Sequence, residues 1–170
     1  MKASEVLKRL SSGEMIPLLR EIYSENIDEQ VLRYKEAIQS FMDYYGDQDI
    51  MIFSVPGKCE IGGNHTDHQQ GRVLASAIQL DSIGIVGKQN RYVKVIYNEL
   101  NINEIDTENI KYNEAKKGTM ESLINGVLFG LNQKNYHIGG FNAYIQCDIP
   151  RNVGLGSSAN FNIMIGTIIN

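Results

Sequence analysis

Two short stretches concentrate the side chains that do chemistry. CEIGGNHTDHQQGRV, residues 59–73, holds two of the three histidines, Asp67, Glu60, Asn64 and three glycines, and Lys58 directly precedes it. GLGSSA, residues 154–159, sets two glycines before two serines. The first stretch has four readings. A metal site has His65, Asp67 and His68 to offer, but zinc takes three or four ligands, commonly with cysteine or an i, i+4 histidine pair, and the third histidine, His137, is far along the chain. Asn64-His65-Thr66 is formally a glycosylation sequon, which needs a secretory route. A plain turn between strands explains the glycines. It does not explain why Lys58, Glu60, Asn64, His65, Asp67 and His68 crowd beside apolar strands. Such polar density suits a pocket that recognises hydroxyls or charges, because a carboxylate and an imidazole make strong hydrogen bonds to sugar hydroxyls.

GLGSSA is likewise open. It fits the spacing G-x-G-x-x-A of dinucleotide sites, but that fingerprint belongs to a βαβ unit with an acidic residue roughly 20 positions on, and the chain stops sooner. A second reading is a glycine loop feeding a helix, where backbone N–H groups and the helix dipole hold a phosphate. Ser157 and Ser158 then hydrogen-bond the phosphate or offer a hydroxyl to Mg²⁺. A third is a helix start capped by Ser157, with glycines for close packing. On the loop alone, the last two stand equally.

The elements that must position these residues follow from periodicity. Residues 4–45 read as three helices: one capped by Ser4 and followed by Gly13, one around Met15–Ile22, and a longer one capped by Asp28 and stopped by Gly46. Residues 49–55 read as a short strand ended by Pro56-Gly57. Residues 73–88 and 91–98 read as a hairpin about a turn at 88–90, and 99–117 as irregular with one strand. Thr119 caps a helix over 119–133 whose stripe is Leu123, Ile124, Val127, Leu128 and Leu131. Residues 140–150 alternate as a strand does, and 158–170 read as a helix. Strands and helices mixed without regular alternation predict an α+β fold. The expected organisation is an N-terminal helical extension, 1–46, ahead of an α+β part, 47–170.

Composition narrows the function classes. The chain has 170 residues, 42% apolar and 21% charged, which suits a globular domain. A net charge of −4 without a basic stripe argues against nucleic acid. No apolar run reaches the roughly 20 residues of a membrane span, and no signal peptide is visible. Cys59 and Cys147 read as buried thiols of a cytoplasmic protein. The apolar ending at Asn170, without a cap, suggests a truncated chain whose last helix exposes its core face and supports a homodimer.

The two stretches together are more specific than either alone. VPGKCEIGGNHTDHQQGRVLASAI, residues 55–78, resembles the galactokinase signature, and DIPRNVGLGSSAN, residues 148–160, resembles the second motif of the GHMP small-molecule kinase superfamily. The resemblance covers roughly residues 45–170. It implies a GHMP-kinase N-terminal-domain-like fold and ATP-dependent, Mg²⁺-assisted phosphorylation of galactose or a close relative at the anomeric hydroxyl. Carried over, Asn64, His65 and Asp67 bind the sugar, and Gly154, Leu155, Gly156, Ser157 and Ser158 form the phosphate loop. Ser158 is the better Mg²⁺ ligand, and Lys58 stands at the catalytic position. Three residues depart from the pattern. Lys58 replaces an arginine and loses its planar fork, Asn64 replaces a glutamate, and His68 replaces a tyrosine. The family's catalytic aspartate is expected beyond the end of this chain, so the chain alone is expected to be inactive. The alternative is a sugar sensor that binds galactose and ATP without catalysis. A GHMP kinase for another small alcohol fits less well, because His65-Thr66-Asp67 is the galactokinase-like triplet.

Overall fold

A computed structural model describes residues 1–63, 66, 69–110, 116–150 and 153–169. Three helices come first: α1 (Ala3–Ser11), α2 (Ile16–Ile22) and α3 (Ile27–Tyr45). They are followed by β1 (Ile50–Gly62), β2 (Leu74–Gln89), β3 (Tyr92–Tyr97), β4 (Leu100–Asp106), α4 (Met120–Gln133), β5 (Gly140–Cys147) and α5 (Ser157–Ile169). The strands form one mixed sheet in the order β1-β2-β5-β3-β4. β3 and β5 run parallel, and every other neighbouring pair is antiparallel. The architecture is α+β, as expected.

Helices cover both faces of the sheet. On one face Phe41, Ile38 and Ala37 of α3, with Leu10 of α1 and Leu19 of α2, pack on Ile50, Ile83, Ile85, Ile96 and Tyr144. On the other, Phe161, Met164 and Ile165 of α5 and Ile124 and Leu128 of α4 pack on Val55, Val86, Val93, Val95, Ala143 and Ile145. The alternation of Ile85 with Val86, and of Val95 with Ile96, sends neighbouring side chains to opposite cores. Each fully buried aliphatic side chain contributes about 1.5–3 kcal/mol. Because Phe161, Met164 and Ile165 lie against the sheet, the core face of α5 is packed within this chain rather than open, and Ile163 on its outer side is exposed.

Several local expectations change. The 73–88 and 91–98 segments are not a hairpin: β5 lies between β2 and β3, pairing antiparallel with one and parallel with the other. Pro56-Gly57 does not end β1. Pro56 sits in an edge strand, where its missing N–H costs no ladder bond, and the register shifts between Pro56 and Lys58 as at a bulge. Ser4 is inside α1 and donates to Asp47, while Lys2 is the N-cap residue. The N-cap of α3 is Asn26, in the left-handed region, with Asp28 in the first turn. Thr119 does cap α4, accepting from the Ser122 N–H at 3.2 Å, and Gly46 closes α3. Cys147 is buried, whereas Cys59 is only half-buried. No helix among the described residues is long and apolar enough to cross a membrane.

Candidate functional site

β1 and β2 outlast the rest of the sheet. β5 pairs with β2 only over Ser82–Gln89, so Lys58–Gly62 and Leu74–Ala77 continue as a two-stranded ribbon beyond the core. The ribbon carries the polar loop of residues 63–73. Gly63 has φ +91°, and a Cβ there would meet the Arg72 carbonyl at 2.2 Å. Thr66 donates to the Gly63 carbonyl at 2.9 Å, and its own carbonyl accepts from Gln69 and Gly71. A Cβ on Gly71 would strike Thr66 Oγ1 at 2.2 Å. The two glycines therefore let Gly63 lie against Arg72 and Gly71 against Thr66. Asn64, His65, Asp67 and His68, the proposed sugar ligands and their neighbour, lie outside the described residues. Among the described residues no three His, Cys, Asp or Glu side chains group as metal ligands.

At the base of the ribbon, β1 meets the glycine turn. Gly154 and Gly156 have φ +79° and +73°, a conformation that L side chains resist. The first helical bond of α5 runs from the Asn160 N–H to the Gly156 carbonyl at 2.8 Å, so the amides of Ser157, Ser158 and Ala159 lie ahead of the intrahelical ladder. The Lys58 N–H donates to the Leu155 carbonyl at 3.2 Å. A Cβ on Gly156 would come within 2.8 Å of Lys58 Cγ, so the absent side chain is the space through which the lysine passes. The Lys58 ammonium lies 2.7 Å from Glu60 Oε1. The fold thus brings Lys58 against Leu155 and Gly156, nearly a hundred residues away in sequence, with Ser158 exposed and Leu155 partly buried against the core.

Beside this turn is a cavity of about 320 Å³, walled by Tyr97 of β3, Met120 and Leu123 of α4, and Ser157, Ser158 and Phe161 of α5. A larger depression of about 540 Å³ lies near α3 and the β3–β4 turn, lined by Glu36, Glu99 and Asp148 among others. Its acidic lining makes it the poorer candidate for an anion. The smaller cavity combines hydroxyls, aromatic walls and the positive end of a helix, a combination suited to an aromatic ring joined to phosphates.

Two residues that hold this arrangement together carried no signal in the sequence. Asn160 of α5 is 2% exposed and donates to the Val55 and Pro56 carbonyls at 2.6 and 3.1 Å, while Ser82 Oγ donates to its Oδ1 at 2.5 Å. Asp81 of β2 is buried on the other face, accepting from Tyr23, Ser54 and Arg33. Neither lies at a periodic position that a one-dimensional reading would single out.

Comparison with known proteins gives these elements a relationship. Residues 39–88 match the galactokinase galactose-binding signature. The chain is 32% identical over 135 residues to a galactokinase of Streptococcus suis, an alignment covering 76% of this chain and 34% of that protein. The structure of Lactococcus lactis galactokinase complexed with galactose superposes with a TM-score of 0.68 at 25% identity, over 76% of this chain and 34% of that one. Methanococcus jannaschii mevalonate kinase superposes with a TM-score of 0.58, also at 25% identity, over 71% of this chain and 39% of that one. The chain spans about a third of the length of the curated relatives it matches.

Proposed function

We propose that this chain, a relative of the galactokinases in the GHMP kinase superfamily, provides the sugar loop and phosphate loop of an enzyme that transfers the γ-phosphoryl group of ATP to the anomeric hydroxyl of galactose or a close relative. The observation that carries the proposal is the packing of Lys58 against Gly156 at the foot of the ribbon that bears the matched signature. In the reaction, the anomeric oxygen bonds to the γ-phosphorus as the bond from that phosphorus to the bridging oxygen breaks, giving sugar 1-phosphate and ADP. Such a transfer is governed by positioning and charge neutralisation.

Within this reading, Asn64, His65 and Asp67 fix sugar hydroxyls. Gly154, Leu155 and Gly156 let the backbone wrap the phosphates, and the amides at the start of α5 with the Ser157 hydroxyl hold them. Positive φ at both glycines and the open helix start suit a phosphate chain. Ser158, exposed in the first turn, would hold Mg²⁺, which would supply charge neutralisation across the phosphates. Lys58 faces the charge that develops on the transferred group. Since the chain spans about a third of its relatives' length, the acceptor for the hydroxyl proton is assigned to the part of those proteins it does not match, and the chain alone is proposed to bind without turnover.

A second reading, a sensor that binds sugar and nucleotide without phosphotransfer, is favoured by one contact. The Glu60 carboxylate beside the Lys58 ammonium offsets the charge that catalysis would use. Calorimetric titration of galactose into the wild type and Asp67→Ala, with and without a magnesium complex of a non-hydrolysable ATP analogue, tests the shared binding step. Saturable binding lost in the variant is the expected result. No binding to a folded wild type would overturn the galactose assignment. Product analysis with ATP, in the chain extended to the length of its relatives, separates kinase from sensor.

A further inference from the structure

Asn160 sits in the first turn of α5, where its amide does not stay in water. It is 2% exposed and crosses to the edge strand, donating to the carbonyls of Val55 and Pro56 at 2.6 and 3.1 Å. Carbonyl oxygens only accept, so these two contacts fix the orientation of the amide, with Oδ1 turned to Ser82 Oγ. The place it reaches is the register shift between Pro56 and Lys58. One strap therefore ties the first turn of α5 to the bulge just before Lys58. A second, from the Lys58 N–H to the Leu155 carbonyl at 3.2 Å, ties the glycine turn to the residue just after it.

We infer that Asn160, braced by Ser82, is a positioning residue that sets the start of α5 and its glycine turn at the height where their amides and the Lys58 ammonium converge on one polyphosphate chain. The inference rests on the reading of residues 154–158 as a phosphate loop. It deepens that reading by naming what aligns the two halves of the anion site, which lie far apart in sequence. The ribbon beyond the bulge is held separately by the pairing of Lys58, Cys59 and Glu60 with Ala77, Ser76 and Ala75. Loss of Asn160 therefore lets the helix start drift against Lys58 while the strand keeps its partner. A drift of this kind is costly, because two charge-bearing groups must meet one ligand in register.

The test is calorimetric affinity of the 170-residue chain for the magnesium complex of a non-hydrolysable ATP analogue, measured well below every variant's melting temperature. Asn160→Ala is expected to weaken binding about tenfold, and Ser82→Ala, which leaves both donor bonds in place, about two- to threefold. Ile38→Val, a conservative truncation in the core on the opposite face of the sheet, lowers the melting temperature and serves as the stability control. It is expected to bind as the wild type does. If Asn160→Ala does not fold, Ser82→Ala carries the test, and wild-type affinity there overturns the inference. A folded Asn160→Ala that binds as tightly as wild type overturns it while leaving the phosphate loop intact. An equal loss in Ile38→Val shows that affinity follows global stability, and also overturns it. A wild type that does not bind the analogue sinks the phosphate-loop reading and this inference with it.

Discussion

Arg33 of α3 donates to Asp81 of β2 at 2.6 Å, and both side chains are less than a tenth exposed. The pair joins the helical layer to the sheet. Tyr23 and Ser54 donate to the second Asp81 oxygen at 2.6 and 2.5 Å, and Arg33 also donates to the Asp81 carbonyl at 3.1 Å. Arg33 Nε lies 2.9 Å from Asp148 Oδ2, near enough for charge attraction but off the line of a hydrogen bond. Burial opposes the arginine's charge, and the bond and charge of Asp81, joined by the charges of Asp148 and Tyr23, outweigh it, raising its pKa. A buried charge left without its partner is expensive. Asp81→Ala is therefore expected to lower unfolding free energy by about 3–5 kcal/mol in urea titrations. Arg33→Met combined with Asp81→Ala is expected to recover at least half of that loss. A double variant as unstable as the single one would show that the pair is not the cause.

Buried tyrosines, two of them in this cluster, make stability fall in alkali. Burial, then the bond to Asp81, raises the Tyr23 hydroxyl above its ordinary value, and burial is the leading cause for Tyr34 and Tyr45 as well. The folded state keeps these protons when the unfolded chain releases them near pH ~10. The contribution is thus complete below about pH 10 and is lost as pH rises beyond it. Tyr23→Phe should cost about 1.5–3 kcal/mol at pH 7, because the lost bond is to a charged acceptor. It should also flatten the decline above pH 10. Denaturation curves between pH 7 and 11 measure both effects, and an unchanged alkaline slope would contradict the assignment to Tyr23.

What could be read from the sequence was mostly local. The stripe of α4 with its Thr119 cap, the strand over Gly140–Cys147 and the Gly46 stop of α3 are set by neighbours a few residues away, and the structure has them, although β5 is a central strand buried on both faces and its burial does not alternate. The order of the sheet is not local. β5 inserts between β2 and β3 because parallel pairing with β3 lets α4 cross one face, and nothing in residues 73–98 encodes that. Pro56-Gly57 reads as a strand end because proline lacks a donor, yet an edge strand tolerates that lack. The motif residues Lys58 and Gly154–Ser158 were visible by type, but their contact is a tertiary fact. Asn160 and Asp81 look like any other polar residues of their segments, and only the partners across the sheet give them meaning.

Two glycines of one turn should respond differently to the same change. Gly154 and Gly156 both have positive φ, so Gly154→Ala and Gly156→Ala each strain the backbone by about 1–2 kcal/mol. A Cβ at 154 meets nothing within 4 Å, whereas one at 156 lies 2.8 Å from Lys58 Cγ. Both variants should lose similar melting temperature by calorimetry. Only Gly156→Ala should also displace the lysine stem, which would appear as a further loss of affinity for a magnesium–ATP analogue. Equal affinities in the two folded variants would mean that Lys58 accommodates the methyl without leaving its place.

The helices before residue 47 share a core with the strands after it, and this predicts the outcome of removing them. Phe41 and Ile38 are fully buried against a face that includes Ile83, Ile85 and Tyr144, and Leu10 of α1 belongs to the same cluster. Truncating one such side chain, as in Leu10→Ala, is expected to cost about 2–5 kcal/mol. Deleting residues 1–46 would uncover the whole face and leave Asp81 without its Arg33 and Tyr23 donors. The shortened chain is expected to aggregate or bind a hydrophobic dye, with no cooperative melting transition. A soluble monomer that starts at residue 47 and melts cooperatively would instead make the three helices an appendage, and the buried pair at Asp81 dispensable to the sheet.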